Sequence, residues 1–278
     1  MPDRYAGFDE PYWADYRDAL RRGPPDGRAV LPAPEDLNAC LPTGTVSGGG
    51  QPIRFVDADR LPNTDYERHI FETGEVSTRR NSWHDVFNAL VWSRFPAVKA
   101  ALNARHRAEI IAGMSPGDAG RRGPVRDALT LLDESGALVV THRADVSGIM
   151  ARHDWRTLFV DHRDRWRNDI AVFVVGHAVL EKFLDPYKAI TAHAICLRIE
   201  PAPGRFARAE LRQRVDRELA ARIRSGLCLN STAELQPLPL MGIPGWWPRP
   251  EQDGGFYADT QVFRPATGKR NPLIIELE

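Results

Sequence analysis

Two segments place a histidine among apolar residues, where an imidazole needs a partner or a ligand. In the first, His84 and Asn88 lie four positions apart in the run from Trp83 to Phe95, so they share one face of a predicted helix. The other faces of that helix are apolar too, and burying a polar group without a partner costs about 1–3 kcal/mol. Near a helix N-terminus the dipole favours a neutral imidazole, which can act as a base or bind a metal. His84 and Asn88 are therefore candidate catalytic residues, and a core histidine satisfied by hydrogen bonds is the alternative.

The second segment carries His177 and Glu181, again four positions apart. Side chains with this spacing point the same way and suit a shared metal or a base with its orienting carboxylate. His193 shares a face of a predicted strand with core residues, and it would complete a set of three histidines. Such ligands suffice for zinc or another divalent cation. We therefore expect a divalent metal bound by His84, His177, Glu181 and His193, and a scattered set of structural residues is the alternative.

Asp127 and three cations extend the candidate site. Asp127 falls on the same face of a predicted strand as nearby leucines, so it is expected to be a catalytic carboxylate or the partner of an arginine. Arg79, Arg126 and Lys99 are candidate substrate-binding residues, because they offer positive charge near the proposed centre. These cations indicate a small, anionic substrate.

Two further polar groups are expected to serve the structure. Lys99, Asn103 and His106 form a helical stripe that is typical of a solvated face, although it would offer hydrogen-bond donors if it faced His84. Asp133 and Glu134 belong to an Asp-Glu-Ser-Gly sequence, which is the signature of a type I turn. Turn formation, and not catalysis, is the predicted role of that pair.

The elements that position these residues follow from capping signals and apolar periodicity. Ser82 and Asp85 predict the start of a helix that ends before Pro96, and Pro96 opens a second helix reaching about Ile111. At residues 170–184 a strand followed by a helix competes with one continuous helix. The complete prediction after the first two helices is a β-hairpin at 124–141, a strand at 170–175, a helix at 177–184, a strand at 191–199 and a helix at 208–224.

Together these elements predict an α+β fold, with a small mixed sheet that contains a β-hairpin and is flanked by helices. Proline and glycine punctuation makes residues 1–65 an irregular N-terminal arm with one short helix near Pro11 to Arg22. Residues 66–236 are the predicted core. Residues 237–278 are rich in Pro, Gly and Trp and are expected to wrap the core of a single domain as an irregular tail.

Composition narrows the classes of function. Lys plus Arg and Asp plus Glu both total 37, which leaves no overall field to attract nucleic acid, so a nucleic-acid partner is not expected. The 3 cysteines are widely spaced and predict neither a disulfide framework nor a thiolate zinc site. Without an apolar leader or a membrane-length apolar run, the chain is expected to be cytoplasmic and to have no membrane partner.

Several motifs occur along the chain in a fixed order. They are Asn81-Ser82-Trp83-His84-Asp85-Val86-Phe87-Asn88-Ala89-Leu90-Val91-Trp92, Phe95-Pro96, Lys99, Leu102-Asn103-Ala104-Arg105-His106, Arg122-Gly123-Pro124-Val125-Arg126-Asp127-Ala128-Leu129-Thr130, Asp133-Glu134-Ser135-Gly136, Gly176-His177-Ala178-Val179-Leu180-Glu181-Lys182 and Gly242-Ile243-Pro244-Gly245-Trp246. In this set the chain resembles the bacterial family called domain of unknown function 3025, over roughly Tyr66 to Pro265. The resemblance implies family membership and assigns no reaction, cofactor or catalytic residue.

The residues themselves favour a hydrolase-like enzyme with a His/Asp/Glu site that acts on a small anionic molecule. A metal would lower the pKa of bound water, and without a metal His84 would be the general base. Two other classes stay open. One is a non-catalytic binding or interaction protein that docks through Trp246 and Trp247, and the other is a nuclease or nucleic-acid binder.

Overall fold

Helices alternate with short strands along the chain. The computed structural model describes residues 8–22, 31–61, 65–113, 123–249, 252–268 and 273–277. The helices are α1 (Arg17–Arg22), α2 (Pro34–Asn38), α3 (Tyr66–Thr73), α4 (Trp83–Arg94), α5 (Pro96–Ala112), α6 (Pro124–Ser135), α7 (Asp145–Ala151), α8 (His177–Lys182), α9 (Arg208–Arg224) and α10 (Gly254–Tyr257). The strands are β1 (Arg54–Asp57), β2 (Glu75–Thr78), β3 (Gly136–Thr141), β4 (Ile170–Val174), β5 (Thr191–Arg198), β6 (Gln236–Pro239) and β7 (Ile274–Glu276).

The strands form two sheets of unequal size. β1 and β2 pair in parallel as a two-stranded sheet. The five-stranded sheet has the order β4-β3-β5-β6, and β7 pairs with the C-terminal half of β5 beside β6. β3 is antiparallel to β4 and parallel to β5. The sheet is therefore mixed and flanked by helices, and the predicted α+β class is confirmed.

The core is built around β3 and the helices that cover it. Every residue of β3 is buried, as expected for an apolar run with both faces of its sheet covered. The buried apolar cluster extends from Phe8 to Leu277, so it includes residues of both chain ends. In the N-terminal part, Trp13 stacks on Phe87 of α4 with their ring centroids 5.6 Å apart. This packing anchors the start of the described chain against the helix that carries His84.

The two predicted helices around Pro96 are confirmed. Ser82 caps α4 by accepting a hydrogen bond from the backbone N–H of Asp85 at 3.3 Å, and Pro96 occupies the first turn of α5. The next free N–H groups of α5, at Ala97 and Val98, donate to the Asp216 carboxylate of α9 at 3.1 and 2.8 Å. Asp216, which is distant in sequence, therefore caps the N-terminus of α5. Phe95, the residue preceding α5, makes no capping hydrogen bond with its side chain.

The hairpin predicted over residues 124–141 is wrong. Residues 124–135 form α6, whose buried Ala128, Leu129 and Leu132 have helical spacing. A short apolar run fits either period, and Pro124 in the first turn favours the helix. Asp127 consequently lies on an exposed helical face and not on a strand. The predicted turn, from Asp133 to Gly136, is the last turn of α6 and the first residue of β3.

The arm and the tail hold more regular structure than predicted. The arm adds α2 and β1 to its first helix, and the prediction of an irregular C-terminal tail is wrong at β6 and β7. Both of these strands pair with β5, which would otherwise leave a row of backbone donors and acceptors unpaired at a sheet edge. Short strands of this kind give little sequence signal, because the partner supplies the hydrogen bonds.

Two glycines bring α6 and α8 together at one end of the sheet. The backbone N–H groups of Val175 and Gly176 both donate to the Gly136 carbonyl, at 3.0 and 2.9 Å. A Cβ atom on Gly176 would lie 2.3 Å from the backbone nitrogen of Gly136, so only glycine fits there. The crossing places the last turn of α6 beside His177, the first residue of α8. Within the described ranges, no helix has the length and apolar character needed to cross a bilayer.

Candidate metal centre

Three side chains from three helices converge at the end of α6. His84 comes from the first turn of α4, His177 from the first position of α8 and Glu134 from the last turn of α6. The Nε2 atoms of the two histidines are 3.0 Å apart, and Oε2 of Glu134 is 3.5 Å from Nε2 of His177. One ligand atom from each residue lies within 4.8 Å of the other two. The three side chains can therefore hold a metal ion.

Two of the three distances between these atoms are close to those of a zinc site. Bonds of about 2.0–2.1 Å in a tetrahedron place neighbouring ligand atoms about 3.3 Å apart. The observed 3.0 and 3.5 Å lie on either side of that value. Burial lowers the pKa of His177 to about 4, so its imidazole is neutral at pH 7 and has a lone pair to offer. An N–H···N hydrogen bond between the two histidines is the other arrangement that the 3.0 Å distance allows.

Carboxylates stand behind both histidines. Oε2 of Glu181 is 3.3 Å from Nδ1 of His84, and Oδ2 of Asp133 is 3.8 Å from Nδ1 of His177. Burial raises the pKa of Asp133, but the charge of nearby Lys99, the hydrogen bond that Lys99 donates and other neighbouring groups together lower it by more. The net pKa lies below the usual value. Asp133 is therefore an anion at neutral pH. A carboxylate that is hydrogen-bonded to an imidazole orients a histidine ligand in metal sites, and Glu181 is close enough to do so for His84. The 3.8 Å between Asp133 and His177 is too long for a hydrogen bond.

A buried chain of hydrogen bonds runs from Asp133 into the protein. The Lys99 ammonium, whose side chain is 7% exposed, donates to Asp133 and, at 2.9 Å, to Oδ1 of Asn88. Nδ2 of Asn88 then donates to the Tyr66 hydroxyl at 3.1 Å. These bonds compensate the buried ammonium and fix the orientation of Asn88.

The cluster lies in the wall of a polar pocket of about 560 Å³. Its size falls within the range of small-molecule sites. The side chains around it come from α3, α4, α5, α6 and α8, from strand β2 and from the β1–α3 and β2–α4 connections. The lining residues are Ala58, Asp65, Tyr66, Glu67, Ser77, Arg79, His84, Asp85, Asn88, His106, Arg126, Thr130, Asp133, Glu134 and His177.

The two arginines of the pocket differ in how their charge is used. Arg79 grips Asp85 with Nε at 3.0 Å and Nη2 at 2.8 Å, and its backbone N–H adds a third bond at 2.6 Å. Burial raises the pKa of Asp85, yet these hydrogen bonds outweigh it and hold the pKa below its usual range. Arg126 forms no ion pair with the residues that the structure describes, and its Nε is buried there without a hydrogen-bond partner. Of the two pocket arginines, Arg126 is therefore the one whose charge is available to bind a ligand.

The structure brings most of the predicted site together. His84, Asn88, His177, Arg79 and Arg126 all line the pocket. The remaining predicted members lie elsewhere. Lys99 is buried behind the pocket, Glu181 touches His84 from the exposed side, and neither His193 nor Asp127 lines the pocket. His193 pairs in register with Gly136 and Pro237 in the sheet.

Lys99, Asn103 and His106 do not form the solvated stripe that their spacing predicted. All three are buried, and Nδ2 of Asn103 donates to Glu67 at 2.8 Å. Helix α5 is covered by α3, α6 and α9, so its polar stripe has no solvent to face.

Sequence reasoning missed four residues of the pocket that bear on its chemistry: Glu134, Asp133, Tyr66 and Glu67. The first two were assigned to a turn. Read as a helix, residues 124–135 place Arg126, Thr130 and Glu134 at successive intervals of four, on one face. That helical reading would have aligned Glu134 with Arg126. No pattern in the sequence points to Tyr66.

The fold and the cluster define an α+β protein with a candidate metal centre in a polar pocket. A comparison with models of protein families identifies the family of this chain. The model of the family described as "Protein of unknown function (DUF3025)" matches residues 53–267, and the chain belongs to this family. The matched range contains every residue that lines the pocket. No curated protein matches the chain, and no solved structure matches it.

Proposed function

We propose that this protein is a hydrolase that depends on a divalent metal, with zinc held by His84, His177 and Glu134. The observation that carries the proposal is the convergence of two imidazole Nε2 atoms and a carboxylate oxygen within 4.8 Å in a pocket wall. Three protein ligands leave the fourth position of a tetrahedral zinc to water, the arrangement of catalytic zinc sites. Structural zinc sites use four protein ligands.

The chemistry follows from that open position. Zinc lowers the pKa of its bound water to about 7, which supplies hydroxide at neutral pH. A hydroxide supplied in this way would add to a carbonyl or phosphoryl centre, and the leaving group would depart as it takes up a proton. Glu67 is suited to carry that proton, because it lines the pocket and burial raises its pKa.

The substrate in this proposal is a small molecule with an anionic group. Arg126 supports it, because its guanidinium lines the pocket and has no ion-pair partner among the described residues. A guanidinium binds carboxylate and phosphate groups through paired hydrogen bonds. A cytoplasmic location completes the proposal, and Cys40, Cys196 and Cys228, which form no disulfide within the described residues, fit a reducing compartment.

Metal analysis of the purified protein tests the proposal. We expect one zinc per chain, and a dissociation constant that rises more than about 100-fold in His84→Ala, His177→Ala and Glu134→Gln, beyond the effect of losing an outer partner. His193→Ala is the matched control, because His193 does not line the pocket, and it should bind zinc as the wild type does. Hydrolysis of small phosphate and carboxylate esters should depend on added zinc. A protein that binds no divalent metal, or a control that loses zinc equally, would refute the metal centre.

A metal-free hydrolase is the second candidate, and the His84–Glu181 pair favours it. Glu181 lies 3.3 Å from Nδ1 of His84, which would orient the ring and leave Nε2 as a general base. Activity that survives chelation but is lost in His84→Ala would identify this mechanism.

A further inference from the structure

We infer that Tyr66 is a catalytic residue, which donates its phenolic O–H to an oxygen of the reacting carbonyl or phosphoryl group. The inference rests on the proposed hydrolase function and adds a residue to it. It follows from the direction of two hydrogen bonds and from where the remaining proton can point.

The hydrogen bond from Lys99 fixes the orientation of the Asn88 amide. An ammonium group has donors only, so the atom of Asn88 that lies 2.9 Å from Nζ of Lys99 must be the amide oxygen. The amide nitrogen then necessarily faces the other way, toward Tyr66. The assignment comes from the chemistry of Lys99 and not from the shape of the amide, which is nearly symmetric.

The hydrogen bond from Asn88 leaves the Tyr66 hydroxyl with its own proton to donate. Since the amide nitrogen of Asn88 donates to the Tyr66 oxygen at 3.1 Å, the hydroxyl is an acceptor in this bond. The side chain of Tyr66 is partly exposed, so its own proton can be donated to a molecule in the pocket. Among the residues that the structure describes, no acceptor for that proton is found, and the Tyr66 side chain lines the pocket.

The charge state and the position of the Tyr66 hydroxyl both suit a hydrogen-bond donor. Burial of the hydroxyl, followed by the nearby Glu67 and Asp133 carboxylates, raises the pKa of Tyr66, so the phenol keeps its proton. Asn88 lies one helical turn after His84 on α4, on the same face. The donor therefore shares a pocket wall with the metal cluster. A preorganised donor to a developing oxyanion typically contributes about 10²–10³ in rate.

The test uses the zinc-loaded protein and the product-type anions inorganic phosphate and acetate, with binding measured by calorimetry. We expect the wild type to bind at least one of them, and Tyr66→Phe to raise that dissociation constant about tenfold, the effect of one lost hydrogen bond to an anion. Zinc affinity and melting temperature should stay unchanged. Tyr187→Phe, which alters an exposed tyrosine outside the pocket, is the matched control.

A spectroscopic measurement separates a donor from a packing residue. In protein labelled at the tyrosine Cζ carbon, the Tyr66 resonance, assigned by its absence in Tyr66→Phe, should shift when the bound anion is added. If zinc binds but Tyr66→Phe holds both anions as tightly as the wild type, or the wild type holds neither, the inference fails alone. If zinc does not bind, the proposed function fails first and the inference falls with it.

Discussion

Two cavities of this protein differ in what their polar atoms do. The first, of about 560 Å³, contains His84, His177 and Glu134 with their ligand atoms turned toward one another. The second, of about 390 Å³, lies between the start of the described chain and the β4 edge, and no His, Asp or Glu is among its described lining residues. Its Arg208 is engaged through Nε and Nη2, which bond both carboxylate oxygens of Asp15 and the Val172 carbonyl.

This difference distinguishes the first cavity, a candidate ligand site, from the second, which is a space left by packing. Arg208 also lies over the Phe173 ring, with 4.6 Å between the guanidinium carbon and the ring centroid, so its charge already has partners within the fold. In the first cavity, packing does not require two imidazoles to meet at 3.0 Å, or Arg126 to lack an ion-pair partner among the described residues. Polar atoms whose arrangement the fold does not need are the ones that indicate a ligand.

The largest expected effect tests whether the first cavity depends on its buried ion pair. Lys99→Met removes the cation beside Asp133, and both side chains are mostly buried, at 7% and 18% exposure. An unpaired buried charge destabilises a protein by about 3–5 kcal/mol. Arg208→Met should cost less, because its side chain is 41% exposed and Arg212 remains 4.0 Å from Asp15. Urea unfolding of both variants measures the difference, and equal losses would contradict it.

The second effect concerns pH in metal-free protein. Burial holds the pKa of His177 at about 4 in the folded state against 6.5 in the unfolded state, so the unfolded chain binds the extra proton in between. Stability from this residue is complete above about pH 6.5 and is lost as pH falls toward 4, by about 3 kcal/mol in all.

The variant His177→Gln isolates that contribution. Asp216 acts in the opposite direction, because burial raises its pKa to about 6 and ionisation between about pH 4 and 6 weakens the fold. The difference in unfolding free energy between wild type and His177→Gln should therefore shrink as pH falls from 6.5 to 4. A difference that is constant with pH would mean that His177 is not held neutral.

The contrast between α4 and α6 explains how much the sequence reveals. α4 was predicted because Ser82 caps it, Pro96 ends it and its apolar length exceeds a strand. α6 was not, because Ala128 to Leu132 is too short to show its period and the residues after it imitate a turn. Five pocket residues could be predicted from the sequence. Three are polar residues in apolar segments, namely His84, Asn88 and His177. The other two, Arg79 and Arg126, are cations expected near them. Glu134 required α6 to be recognised as a helix, and the meeting of α4, α6 and α8 depends on pairing between distant strands.

The crossing of Gly136 and Gly176 gives the third effect. Gly176→Ala would force a Cβ atom against the backbone of Gly136, at 2.3 Å, and push α8 away from α6. We expect a loss of about 1–3 kcal/mol in unfolding free energy and weaker zinc binding together. Gly123→Ala is the control, since a Cβ there meets nothing within 4 Å and φ is −83°, and its loss should stay below about 1 kcal/mol. Zinc affinity unchanged in Gly176→Ala would show that the crossing does not position His177.

The smallest effect is at the outer carboxylate. Glu181→Gln keeps the shape of the side chain beside His84 but removes its charge, and outer partners typically contribute 10–100-fold to metal affinity. Because Glu181 is exposed, with 45% of its side chain accessible, we expect about the lower limit of tenfold. Calorimetric zinc titration measures it. An effect as large as that of His84→Ala would make Glu181 a direct ligand.

The most direct test of the central claim is X-ray absorption spectroscopy at the zinc edge of the loaded protein. We expect two imidazole nitrogens and two oxygens, one from Glu134 and one from water, at about 2.0–2.1 Å. Loss of one imidazole contribution in His177→Ala and an unchanged spectrum in His193→Ala would complete the assignment. A spectrum with fewer than two imidazoles, or with sulfur ligands, would contradict the metal centre formed by His84, His177 and Glu134.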